Sequence, residues 1–228
     1  LIPRGWASSA RVGGKLWVMG GEAPWGITGT VESVALSNFV STMSSQWTMP
    51  IPLSNTGSAA IGSKIYVIGG YHPYTGTISD SVQIFDTVSK TWSSGAPLPQ
   101  PLLQAAVVSV NGKLYVFGGS NLSSILSTTY IYDPVDDNWS SGTAKPSPAA
   151  FATATVSASD TKVTVTGGFS CDFYGCEQNI AEIYDTASDT WTAMVNLKQS
   201  RAGAAGAFYK GKHHTLFGAT LRSSGEYF

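Results

Sequence analysis

The sequence predicts an all-β protein of about five four-stranded antiparallel sheets, the last of them incomplete. Three observations carry this. A strand-like word ending in two glycines recurs, as GKLWVMGG at Gly14–Gly21, SKIYVIGG at Ser63–Gly70 and GKLYVFGG at Gly112–Gly119. The first glycines of the pairs, Gly20, Gly69, Gly118 and Gly167, stand a constant 49 residues apart. No stretch shows an apolar pattern with the helical period.

Each repeat reads as four short strands. Small apolar residues form the first, as in SAAIG, QAAVVSV, FATATVSA and GAAGAFY. A tight turn such as VNGK or YKGK leads to the second, which ends on Gly20–Gly21, Gly69–Gly70, Gly118–Gly119 or Gly167–Gly168. A long polar loop follows, then a third strand closing on an aromatic and an Asp: IFD to Asp86, IYD to Asp133, IYD to Asp185. These three Asp residues read as turn formers rather than as catalytic acids, because they recur in register and Asp bonds its own backbone two residues on. The fourth strand carries Trp47, Trp92, Trp139 or Trp191, read as wedges between sheets. The first copy has ALSN in place of the aromatic–Asp word, and a degraded fifth copy, TLFGAT, holds Gly218.

The second strand has no polar face. Leu114 and Val116 point to one side, Tyr115 and Phe117 to the other. Such a sheet cannot bury both faces alone, whereas copies stacked around an axis can. The paired glycines suit a tight turn and close backbone approach at the end of the strand.

Paired Gly, aromatic, then Trp at about 50 residues resembles the kelch repeat, over essentially the whole chain. The resemblance implies a kelch-type β-propeller, one domain over 1–228, with the inner strand first and the Trp strand outermost. Its blades would span about 4–50, 51–97, 98–144, 145–196 and a partial 197–228. Many kelch repeats begin the inner strand with Arg; Arg4 and Arg201 match, and the three middle copies depart. Arg4 therefore favours reading LIPRG as native sequence over an appended protease site. Kelch propellers usually have six or seven blades, so a piece of a longer protein is expected. The alternative is a five-bladed ring whose last blade is thin or is completed by another chain.

Charged residues are only 12% and net charge is −1, so nothing points to nucleic acid or an anionic membrane as partner. No apolar run approaches a membrane-spanning length. Cys171 and Cys176, in CDFYGC, are expected to form a local disulfide, with two free thiols as the alternative. With the sequons at Asn121 and Asn138 and the low charge, they favour a secreted glycoprotein over a cytoplasmic one. No metal site and no cofactor are expected. His213 and His214 are adjacent on a strand and point apart, and His72 lies in another repeat. The copper enzymes of the family use a core Cys beside Tyr and His, and here both Cys fall in one loop.

What differs between repeats is the loops after the glycine pairs, at residues 22–30, 71–80, 120–127 and 169–179. They are the candidate binding surface, with Trp25, Tyr71, His72, Tyr74, Phe173 and Tyr174 as candidate contacts, since binding residues gather on loops held by a rigid frame. The leading expectation is a non-catalytic module holding a protein or a glycan. The alternatives are an enzyme acting on carbohydrate or small oxygenated substrates, its catalytic groups in further blades, and a structural subunit of an extracellular assembly.

Overall fold

The computed structural model describes residues 2–156, 161–171, 176–216 and 218. Apart from one 3-10 turn at Ser45–Trp47, all of their regular structure is strand. The chain divides into two compact units, Leu1–Leu103 with Pro134–Asn138, and Gln104–Asp133 with Trp139–Phe228.

The first repeat supplies β1 (Ser8–Val12), β2 (Lys15–Met19), the two-residue strands β3 (Glu22–Ala23) and β4 (Gly26–Ile27), β5 (Val31–Ala35) and β6 (Ser41–Met43). The second supplies β7 (Gly57–Ile61), β8 (Lys64–Ile68), β9 (Tyr71–His72), β10 (Thr77–Ile78), β11 (Val82–Asp86) and β12 (Trp92–Gly95). Their main sheets run β1-β2-β5-β6 and β7-β8-β11-β12, with β3–β4 and β9–β10 as separate small hairpins. The third repeat gives β13 (Ala106–Val110), β14 (Lys113–Phe117), β15 (Thr129–Asp133) and β16 (Asn138–Ser141). The fourth gives β17 (Thr153–Val156), β18 (Lys162–Thr166), β19 (Ala181–Asp185) and β20 (Thr190–Ala193), and the fifth the hairpin of β21 (Ala205–Tyr209) and β22 (Lys212–Leu216). Every four-stranded sheet is a meander in chain order.

Local sequence explains the turns. Asn111–Gly112, Lys210–Gly211 and Gly13–Gly14 all have positive φ at both positions, the geometry of the type I′ turn whose twist matches a hairpin. Asp86 Oδ1 accepts from the amides of Val88 (2.8 Å) and Ser89 (3.2 Å), and Asp185 Oδ1 from Ala187 (2.9 Å). Those amides hold the Asp86 carboxyl below the ordinary carboxylate range. The first repeat lacks this Asp, and its outer strand differs: β6 ends at Met43 and Trp47 sits on the 3-10 turn that follows.

Burial follows the alternation expected of a sheet covered on both faces. In β14, Leu114, Tyr115, Val116 and Phe117 are all buried, each contributing roughly 1.5–3 kcal/mol. In the first unit, Trp17, Met19 and Val31 of the first sheet pack with Ile65, Val67 and Phe85 of the second. In the second unit, Ala106, Tyr115 and Phe117 of the third sheet pack with Val163, Val165 and Tyr184 of the fourth. The repeated tryptophans are half-buried wedges. Trp92 donates Nε1–H to Trp47 O of the preceding repeat (2.9 Å), and Trp191 donates to Thr143 O (2.9 Å) while its ring meets Phe117.

The glycine pairs are docking sites. All eight glycines have positive φ. The second amide of each pair donates to a carbonyl that leads into the next repeat: Gly21 to Leu53 (3.0 Å), Gly70 to Leu102, Gly119 to Ala149 and Gly168 to Arg201 (2.9 Å each). A Cβ on the first glycine would land on that same carbonyl oxygen in every case.

The fourth and fifth repeats also meet through hydroxyls. Thr153 donates to Ala204 O (2.6 Å), Thr166 and Thr215 hydroxyls are 2.9 Å apart, and His213 lies between Thr155 (2.6 Å from Nδ1) and Thr164 (2.9 Å from Nε2). Burial lowers the His213 pKa below its ordinary value, so between the folded and unfolded values the unfolded chain binds the proton and the folded chain does not. This contribution is complete above about pH 6.5 and is lost as pH falls through that window. We expect stability to drop on acidification from pH 7 to 5, and less steeply in His213→Gln, measured by denaturant unfolding.

Candidate functional site

Within each sheet the first strand begins beside the end of the second, where the glycine pair stands, and the hairpin turns lie at the opposite end. In the first unit this loop end carries two matched prongs. The tip of β3–β4 is Pro24–Trp25 and the tip region of β9–β10 is Pro73–Tyr74, each a proline followed by an exposed aromatic, again 49 residues apart. Trp25 is 68% and Tyr74 80% exposed. Proline fixes φ and so stiffens both tips.

The other predicted contacts behave differently. Tyr71 is half-buried and exchanges backbone hydrogen bonds with Ser54 (2.8 and 3.2 Å), tying the prong to the segment leading into β7. His72 is half-buried, accepts at Nδ1 from the Thr75 amide (3.3 Å) and meets the Tyr74 ring edge-on at 5.9 Å between centroids. These two residues position Tyr74. Phe173 and Tyr174 lie outside the described residues.

In the second unit, Asn121 Oδ1 accepts from Ser123 (3.1 Å) and Ser124 (2.8 Å), folding the third loop into an Asx turn with Leu122 exposed at φ 66°. Of the two sequon asparagines, Asn138 is exposed at the start of β16 and Asn121 is half-buried. Cys171 and Cys176 form a disulfide with Cα atoms 5.7 Å apart. Among the described residues, no three His, Cys, Asp or Glu side chains gather in a way that could hold a metal ion. No described helix is long and apolar enough to cross a membrane.

One loop-end residue was not predicted. Trp6, just ahead of β1, is 56% exposed and has φ 49°. Its carbonyl accepts from the Asn55 amide at 3.0 Å. The only hint in the sequence is its position two residues after Arg4. The Arg4 side chain is buried: it ion-pairs with Glu32 and donates to Gly20 O (3.0 Å) and Thr30 O (2.9 Å). Gln83 bonds both ways with Ile51 (2.9 and 3.0 Å), and Glu182 holds Lys145 (2.6 Å). In each of these repeats a polar residue of the third strand ties down the segment that leads into the first, which fixes the base of the loop end.

The match to known proteins agrees with this architecture. A family profile described as the KLHDC2/KLHL20/DRC7 Kelch-repeats domain matches residues 5–219. A solved structure titled "Structure of YjhT" superposes with a TM-score of 0.83 at 15% identity, covering 98% of this chain and 75% of that one. No curated protein matches by sequence. With a family profile spanning nearly all of its repeats, and four four-stranded sheets plus a fifth hairpin in the kelch arrangement, the chain belongs to the kelch-repeat family of β-propellers.

Proposed function

We propose that the chain is a non-catalytic binding module that holds a protein partner on the loop end of its first two blades. The observation that carries this is the pair of proline–aromatic prongs, Pro24–Trp25 and Pro73–Tyr74, raised on hairpins whose bases are hydrogen-bonded to the scaffold. Exposed aromatics on stiff supports offer large contact area with little entropy to lose, the property of binding hot spots. Protein interaction is also the general use of kelch propellers. The Cys171–Cys176 disulfide supports an oxidising, extracellular setting. Thiol titration of protein from its native source tests that setting, and two free thiols would exclude it.

The test of the binding surface is a partner affinity measured for the intact chain and for Trp25→Ala/Tyr74→Ala. Two anchors of this kind are worth roughly 1–2 kcal/mol each, so the double variant should bind about 30-fold or more weaker with unchanged thermal unfolding. Val88→Ser/Val135→Ser, two exposed turn-end residues, should bind normally. Loss of affinity in the turn-end variant alone would reverse the assignment.

A further inference from the structure

We infer that Asn138 carries an N-linked oligosaccharide on the outer edge of the third sheet. The inference rests on the oxidising, extracellular setting read from the Cys171–Cys176 disulfide, and adds a modification site to it.

The chain has two acceptor triplets, Asn121-Leu122-Ser123 and Asn138-Trp139-Ser140. The fold separates them. Asn138 opens β16, and alternate residues of a strand share a face. Asn138 and Ser140 therefore stand together on one face, and both are exposed. Trp139 turns to the other face, its ring centroid 5.0 Å from that of Tyr132 and 6.4 Å from that of Tyr130. A glycan on Asn138 leaves that packing untouched. Asn121 is half-buried, and its carboxamide oxygen is held by the amides of Ser123 (3.1 Å) and Ser124 (2.8 Å).

The scaffold does not ask for asparagine at this position. Thr91 and Thr190 hold the equivalent place, each just ahead of its tryptophan. Each hydroxyl lies 2.7 Å from a serine hydroxyl two residues back, Ser89 or Ser188, across the turn. The third repeat has Asp136 and Asn138 in these two places, so its turn closes without the hydroxyl pair.

The position also leaves the loops free. β15 runs from beside Phe117 towards Lys113, so β16 begins at the end of its sheet away from Gly118–Gly119. β16 is the outer edge of that sheet and carries neither charge nor proline. A bulky, solubilising group at its first residue shields such an edge from pairing with another chain. The attachment draws on a glycosyl diphosphate lipid as donor. Asn138 Nδ2 forms a bond to the anomeric carbon, and the anomeric C–O bond breaks. The diphosphate leaves with the electron pair, and the amide proton passes to a base of the transferring enzyme.

The test treats the intact chain from its native source with peptide N-glycosidase in heavy-oxygen water, which frees the glycan and converts the attached asparagine to labelled aspartate. The protein should lose mass, and the label should appear on the peptide holding Asn138. Asn138→Gln and Ser140→Ala, expressed in the same source, should each abolish that loss, and Ser140→Thr should keep it. Asn121→Gln should leave it unchanged. Label on Asn121 in place of Asn138, or no loss of mass, would overturn the assignment. Thiol titration of the same sample separates the causes. A closed disulfide without a glycan sinks the site and leaves the extracellular setting standing; two free thiols without a glycan sink both.

Discussion

Gly118→Ala is expected to lower the free energy of unfolding by on the order of 3 kcal/mol or more. Two effects add at this position. Its φ of 63° is one that alanine adopts at a cost of roughly 1–2 kcal/mol. The new Cβ would also fall on the Ala149 carbonyl oxygen, the acceptor of the Gly119 amide at 2.9 Å. That oxygen belongs to backbone leading into the next repeat, so it can retreat only by loosening the contact between repeats. Gly112→Ala separates the terms. Gly112 has φ 77° and open space around the missing Cβ, so only the conformational cost of about 1–2 kcal/mol should appear. Urea unfolding of both variants measures the difference. Equal losses would mean that the glycine pair serves only to turn the chain.

Glu182→Ala is expected to cost about 3–5 kcal/mol, the penalty of leaving a buried charge without its partner. The Lys145 side chain is 2% exposed and that of Glu182 6%, with the ammonium 2.6 Å from the carboxylate. Burial pushes the Lys145 pKa below the ordinary lysine value, and the hydrogen bond and charge of Glu182 oppose that push. Glu182 also accepts from the Ser147 hydroxyl at 2.8 Å. Removing it takes the counter-charge from the ammonium, which keeps only its hydrogen bond to Ser147 O (2.6 Å), and leaves the hydroxyl without its acceptor. Replacing both charges, as in Lys145→Met/Glu182→Leu, should recover most of the loss, because a desolvated ion pair is worth little more than well-packed apolar side chains. Calorimetric unfolding of the single and double variants measures this. A mild loss in Glu182→Ala would mean that water reaches Lys145 in the folded state.

The scaffold was legible in the sequence because its causes are local and recur. The words KLWVMGG, KIYVIGG and KLYVFGG state the apolar strand and the two positive-φ glycines together, and the constant spacing states the repeat. What the glycines dock against was not legible, since Leu53, Leu102, Ala149 and Arg201 share no residue type and act through their carbonyls. The ion pairs were hidden for a related reason. Arg4 stood out through its likeness to other kelch repeats, but Glu32 and Glu182 sit in third strands where the equivalent residues are Gln83 and Tyr130. The site was half legible. Trp25 and Tyr74 were visible as loop aromatics, while the Pro24 and Pro73 that align them at the repeat spacing lie in loops that otherwise look unlike. Trp6 was not visible, because a left-handed turn is announced by Gly or Asn and seldom by tryptophan. The shift of Trp47 onto a 3-10 turn traces to the missing aromatic–Asp word, which in the other repeats sets the register of the last strand.

The central claim is that the repeats are scaffold and that recognition belongs to the loop end of the first unit. The most direct measurement places a photo-crosslinking amino acid at position 25, 74, 88 or 135 of the intact chain, irradiates each in extract from the native source, and identifies the adducts by mass spectrometry. The account predicts one common protein captured from positions 25 and 74, and no such adduct from 88 or 135. Capture of that protein from 88 or 135, with none from 25 or 74, would contradict it.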